Sequence, residues 1–243
     1  MLIKCRQAAD VAGATKMDRP EWVAVHPNTG EVFVTLTNNS NRGQGSQPGR
    51  LADAANPRND NIMGHIIRWR EGKRHQGDTA SRLDGDASAT EFRWMHFALA
   101  GDPNADKAEY RGTIKGDMYG SPDGLQFDSG GMLWIQTDVS TSAMHKGAYK
   151  SMGNNMMLCA DPATGETKRF LTGPAGCEIT GVSFPPDRRA VFINIQHPGE
   201  TASERGDPAQ PKAVSHWPDG PTSGRPRSAT VVIRRRDGGI VGT

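Results

Sequence analysis

The chain has 243 residues, with 29 Lys and Arg against 27 Asp and Glu, and its formal net charge of +2 is too small to argue for a nucleic-acid partner. A hydrophobic fraction of 35% and a charged fraction of 23% describe a polar but globular chain, long enough for one large domain. No run of about 18 apolar residues occurs, which excludes a membrane-spanning helix.

Residues 3–13 are rich in Ala and long side chains and end on Gly13, which predicts a short N-terminal helix. Lys4 and Arg6 precede no apolar stretch of the signal-peptide kind, so export is not expected to be encoded in this chain. Cys5, Cys159 and Cys177 form no CxxC pair and no disulfide framework, and they read as buried or incidental thiols.

After the helix, strands and loops dominate. Three segments resemble one another: Glu21–Asn38, Asp123–Asp138 and Glu178–His197. Each reads as strand, turn, strand, with Pro, Asp, Asn or Gly where a hairpin needs them. Their second strands, Val32–Leu36, Met132–Thr137 and Ala190–Ile195, are rich in Val, Ile, Phe and Trp. Further strands are expected at Ile62–Trp69, Glu91–Phe97, Asn155–Cys159, Thr167–Leu171 and Ala229–Arg235. A turn at Asp237-Gly-Gly239 should lead into a last short strand. A hairpin followed by about two more strands is the content of a propeller blade. The expected fold is therefore all-β: about three blades, roughly half of a β-propeller, behind a short helix. Long polar loops separate the strands at 38–61, 72–90, 101–120 and 198–227. Such loops are functional or disordered in compact domains.

The acidic residues that open the three hairpins, Glu21, Asp123 and Glu178, are the informative feature. The inner strands of a propeller line its channel, so three blades would carry these carboxylates to one end of it. Converging carboxylates repel unless a cation neutralises them, and oxygen clusters of this kind suit Ca2+ or iron. Acidic residues also begin strands as ordinary solvated turn residues. The hairpin ends add Thr37, Asn38, Asp138, Asn194, Gln196 and His197 at the same rim, Asp138 being the strongest further ligand candidate. Arg19 lies two residues before Glu21, so an extended chain points both the same way. A guanidinium there suits an anionic oxygen, phosphate above all. His65 sits in an apolar strand, where packing and metal support are equally open. No GxxxxGK[ST], GxSxG or HExxH motif occurs.

Met17-Asp-Arg-Pro-Glu-Trp22, Ser121-Pro-Asp123 with Leu133–Asp138, Glu178-Ile-Thr-Gly181, Phe192–Glu200 and Pro226–Ile233 closely resemble motifs of the PhoX family of alkaline phosphatases, in the same order. The resemblance covers nearly the whole chain, 1–243, as the C-terminal part of the longer family members. It implies a six-bladed propeller with calcium and iron, Ca2+ and Fe3+, at one end of the channel. It further implies hydrolysis of small phosphate monoesters in phosphate acquisition, and a periplasmic or extracellular location. By the same resemblance Arg19 is a phosphate-contacting catalytic arginine and Glu21 a metal ligand, with Asp123 and Glu178 on the calcium side. The family's iron-ligating cysteine falls in the N-terminal part, and none of the three cysteines here takes its place. Gly124 stands where the family usually has Asn, and Val139 where Gly is common. No general acid is assigned.

Two other readings follow from the same residues. A non-catalytic or degenerate propeller fragment would bind calcium or a partner, and an isolated half would need its N-terminal half. A propeller hydrolase acting on neutral esters or lactones would not need Arg19.

Overall fold

The computed structural model describes residues 3–72, 86–200, 207–222 and 224–242. Among these there is one α-helix, α1 (Cys5–Val11), and the remaining regular structure is strands and short helical turns: β1 (Pro20–Val25), β2 (Val32–Leu36), β3 (His65–Glu71), β4 (Phe92–Leu99), β5 (Lys115–Gly116), β6 (Pro122–Phe127), β7 (Leu133–Thr137), β8 (Met156–Ala160), β9 (Glu166–Thr172), β10 (Glu178–Ser183), β11 (Val191–Gln196) and β12 (Ala229–Ile233). No helix among the described residues is long and apolar enough to cross a membrane.

The strands form three sheets in the orders β1-β2-β3-β4, β5-β9-β8-β7-β6 and β10-β11-β12. Neighbouring strands are antiparallel except β5, which pairs parallel to β9. Apart from β5, strands adjacent in a sheet are adjacent in the chain, joined by tight hairpins or by longer loops such as the one between Leu36 and His65. The tight turns are fixed by side chains that mimic the backbone. Asp128 Oδ1 accepts the amides of Gly130 (2.8 Å) and Met132 (3.1 Å) between β6 and β7. Asp161 Oδ1 accepts the amide of Ala163 at 2.8 Å between β8 and β9.

Each sheet packs face to face on the next. Phe33, Leu125, Phe127, Leu133 and Ile135 meet between the first and second sheets, with Met63, Tyr119 and Met152 completing that core. Trp134, Met157, Ile179, Val191 and Ile193 meet between the second and third. The middle sheet is therefore covered on both faces. The third sheet keeps an open face, with Phe192 and Val232 exposed on β11 and β12. The far face of the first sheet is open only at β1, where Val23 and Val25 are more than half exposed; Val34, Leu36 and Ile67 on β2 and β3 are buried against Met17 and Ala55.

Three expectations are corrected. The last short strand does not form: residues 234–242 turn back, Val241 is buried against the Trp134 cluster, and the third sheet keeps three strands. β3 begins at His65 rather than Ile62, because Met63 and Gly64 give their carbonyls to the amides of Ser121 and Ala100 instead of to a strand partner. β5 was not expected at all; it is two residues long and pairs with a strand some fifty positions away. Most of the expected 72–90 loop lies outside the described residues.

Candidate active site

The first strand of each sheet carries the same irregularity. Pro20 pairs with Leu36 and then Val23 with Val34; Pro122 pairs with Thr137 and then Leu125 with Ile135. In the third sheet Ile179 pairs with Ile195 and Val182 with Ile193. Two residues on one strand thus lie opposite one on the other, a bulge that re-aims the side chains before it. Superposing these registers aligns Glu21 with Asp123, as the sequence suggests, but aligns both with Thr180. Glu178 instead occupies the position of Arg19 and Ser121, two residues earlier. The expectation of three carboxylates at one repeat position is therefore wrong for Glu178. The expectation that they share one end of the sheets holds, because i and i+2 point the same way.

Arg19 is at the centre. Its Nε donates to Glu21 Oε1 at 3.0 Å, and a terminal nitrogen donates to Asp138 Oδ2 at 2.7 Å. Glu21 comes from the first sheet and Asp138 from the end of β7 in the second, so one guanidinium ties two sheets at their hairpin ends. Its side chain remains 45% exposed, with donors left for an incoming anion. Asp123 lies deeper. Burial first, then the charges of Glu21, Asp138 and Glu178, push its carboxyl up to about 7. Glu178 is likewise raised, by burial and by Asp138, against the opposing effect of His197. These mutual effects place the four carboxylates and Arg19 in one electrostatic cluster.

The rim residues separate into two groups. Gln196 Nε2 donates to Glu178 Oε2 at 2.9 Å. His197 has Nε2 3.5 Å from Glu178 and Nδ1 3.2 Å from Glu200. Asn38 Nδ2 donates to Ser121 Oγ at 3.3 Å, and that hydroxyl also meets the Tyr149 hydroxyl at 2.8 Å. Asn194 leaves the site, accepting from Thr230 Oγ1 at 2.7 Å. His65 is no part of it: its Nε2 bonds the Ala55 carbonyl at 2.8 Å, and burial lowers its pKa to about 4, so it is a neutral packing residue. Burial likewise pushes the thiols of Cys159 and Cys177 up to about 12, consistent with inert buried groups.

Gly124 has a local cause. A Cβ at this position would lie 2.2 Å from Gln136 Oε1, so Gln136 fills the space that a side chain at 124 would need. Gln136 is fully buried and donates Nε2 to the Gly181 carbonyl at 3.0 Å, bridging the second and third sheets.

Among the described residues no three His, Cys, Asp or Glu side chains stand close enough together to hold a metal ion. The chemistry of the donor set nevertheless fits a hard cation: four carboxylates share one end of the sheets, and one is pushed towards protonation by burial and then by the charges of the others. A prediction follows from the sign of that shift. Asp123 binds its proton more tightly folded than unfolded, so its stabilising effect is complete below about pH 4 and is lost as pH rises through about 7. Thermal melts without metal should show stability falling between about pH 4 and pH 7, and Asp123→Asn should flatten that fall. Calcium added at pH 8 should raise the melting temperature of the unmutated chain. An unchanged pH slope in Asp123→Asn would remove Asp123 from this role.

A mostly β protein, with a guanidinium held among carboxylates at the hairpin ends of stacked sheets, has the features of an oxyanion-handling site. The family model for the alkaline phosphatase PhoX matches residues 1–199, and the chain belongs to that family. Among solved structures it is similar to Pseudomonas fluorescens PhoX in complex with vanadate, a transition state analogue, with 43% identity and a TM-score of 0.81. The match covers 98% of this chain and 37% of that one, so the chain spans little more than a third of the length of its structural relative. A search of curated proteins gave no match.

Proposed function

We propose that this chain is the C-terminal part of a PhoX-type phosphomonoesterase, which hydrolyses phosphate esters and releases inorganic phosphate. Its three sheets are three blades of a six-bladed propeller whose N-terminal half completes the ring and the site. The observation that carries the reading is Arg19, held between Glu21 and Asp138 with part of its surface free. The family membership and the vanadate complex of the structural relative support it.

Arg19 binds and orients the phosphate and meets the charge that develops on its oxygens in the transition state. Glu21, Asp123, Glu178 and Asp138 are the residues here that would hold Ca2+ and Fe3+, together with donors from the other half. When bound, these ions supply Lewis-acid stabilisation and an activated oxygen nucleophile. The location is periplasmic or extracellular.

The test is p-nitrophenyl phosphate hydrolysis by the protein carrying this chain, lost on chelation and restored by calcium and iron. Arg19→Ala should keep the metal content and lower kcat/KM by about one to two decades, the loss of a charge-assisted hydrogen bond of roughly 1.5–3 kcal/mol. Full activity in Arg19→Ala would end its assignment. No hydrolysis with both metals supplied would favour a non-catalytic propeller fragment that binds calcium or a partner, a reading the 37% coverage also accommodates.

A further inference from the structure

Arg19 has φ of +52°, a left-handed conformation that a long side chain adopts only when its surroundings impose it. Ser121, at the matching position of the second sheet, has φ of +51°, so the kink belongs to the repeat. What differs is how the residues leading into it are held.

Asp18, next to Arg19, is fully buried, and so is Arg42 from the Asn- and Gly-rich loop after β2. Asp18 Oδ1 accepts from Arg42 Nε at 2.8 Å and from Asn39 Nδ2 at 2.9 Å, and Oδ2 accepts from Asn61 Nδ2 at 2.9 Å. The Asp18 amide donates to Asn56 Oδ1 at 2.9 Å. Asn56 Nδ2 and Arg42 also bond the Lys16 carbonyl, at 2.9 and 2.7 Å. Downstream, the Arg19 carbonyl accepts the Thr37 amide at 3.1 Å. The backbone on both sides of Arg19 is thus fixed at successive residues.

The loop is built for this. Its base is closed by paired Asn39 and Asn61, and Arg42 spends its remaining donor nitrogen on the carbonyls of Gly49 and Leu51. Gly43 has φ of +83° and space for no side chain, since a Cβ there would meet the Asn59 side chain. None of these loop groups faces the carboxylate cluster. Their bonds run to the chain segment that carries Arg19.

We propose that the 38–61 loop is a clasp whose function is to aim Arg19 at the site, with Asp18, Asn39 and Asn56 as positioning residues that act through it. The clasp rests on the reading of Arg19 as the phosphate-binding group, but its geometric effect on Arg19 is testable without turnover.

The experiment uses the protein carrying this chain with isotope-labelled arginine, and the mild variants Asn39→Ala and Asn56→Ala, which leave the buried Asp18–Arg42 pair intact. Relaxation of the Arg19 Nε reports its mobility. The expected result is a drop in order parameter from near 0.8 to below about 0.6 in both variants, with cooperative melting retained. The second readout is orthovanadate affinity in a double-mutant cycle. Each variant should weaken binding by about tenfold alone and have no further effect in an Arg19→Ala background, whereas general loosening would add to it. Unchanged Arg19 order in both variants, or additive losses in the cycle, would overturn the clasp. If the unmutated protein binds no vanadate, the phosphatase reading fails while the relaxation result still decides the clasp.

Discussion

Glu21→Gln is expected to cut phosphomonoester turnover by more than about a hundredfold and to lower the bound metal content. Loss of outer-sphere partners of a metal typically costs about 10–100-fold, so loss of a charged oxygen ligand should exceed that. The substitution keeps the shape of the side chain and removes its charge. Arg19 retains its 2.7 Å bond to Asp138, so the guanidinium stays anchored to the second sheet. The defect should therefore appear in metal content, read by atomic emission, together with kcat. Arg19→Ala should give the opposite pattern, normal metal and impaired phosphate handling. If Glu21→Gln retains full metal and full turnover, Glu21 is not a ligand and serves only as a partner of Arg19.

The largest stability effect is expected from Asp18→Asn. The carboxylate and its Arg42 partner have 0% and 1% of their side-chain surface exposed, and a terminal Arg42 nitrogen lies 2.7 Å from Asp18 Oδ1. Removing one charge leaves the buried guanidinium with only the half-exposed Asp53 carboxylate, 3.9 Å away, and breaking a buried pair in this way costs about 3–5 kcal/mol. At roughly 2–4 °C per kcal/mol for a chain of this size, the melting temperature should fall by about 6–20 °C. Asp237→Asn is the control. Its ion pair with Arg235 is just as short, 2.7 Å, but lies at the surface with both side chains 41% or more exposed. That change should stay within about 1 kcal/mol. Equal melting shifts in the two variants would mean that the buried pair is not the anchor of this region.

Local signals carried far in this chain. The hairpins were readable because strand-forming residues alternate with turn residues, and Pro20 and Pro122 mark equivalent strand starts before Glu21 and Asp123. The third unit lacks that proline; Ile179 takes its place in the register, and the acidic residue stands two positions earlier. Sequence matching on the charge alone therefore misplaced Glu178 within the repeat. Asp18 was invisible for a different reason. A buried aspartate has no local signature, and its partners Asn39, Arg42 and Asn61 lie 21 to 43 residues away. The loop that holds them reads as polar and irregular, although its Asn39, Arg42, Asn56 and Asn61 side chains all bond the chain beside Arg19. The unfilled position at Gly124 was legible as a departure from the family pattern, but its cause, the side chain of Gln136, required the packing of β6 on β7. β5 was missed because two residues of parallel pairing offer no periodicity to read.

The middle sheet alone has another sheet against each face, with Leu125, Leu133, Trp134, Ile135, Met157 and Leu158 fully enclosed between its neighbours. The third sheet leaves its far face to solvent, and the far face of the first is covered by the loop segments of Met17 and Ala55 rather than by a sheet. Resistance to opening is consequently graded along the row of sheets, as in proteins whose units contact only their neighbours. Fraying of either flank uncovers one face of the centre, whereas opening the centre severs both interfaces at once. Asp123 and Asp138 belong to that most durable layer, and Arg19 and Glu178 reach towards it from the two flanks. The site is assembled across seams, so its geometry is lost before the fold is.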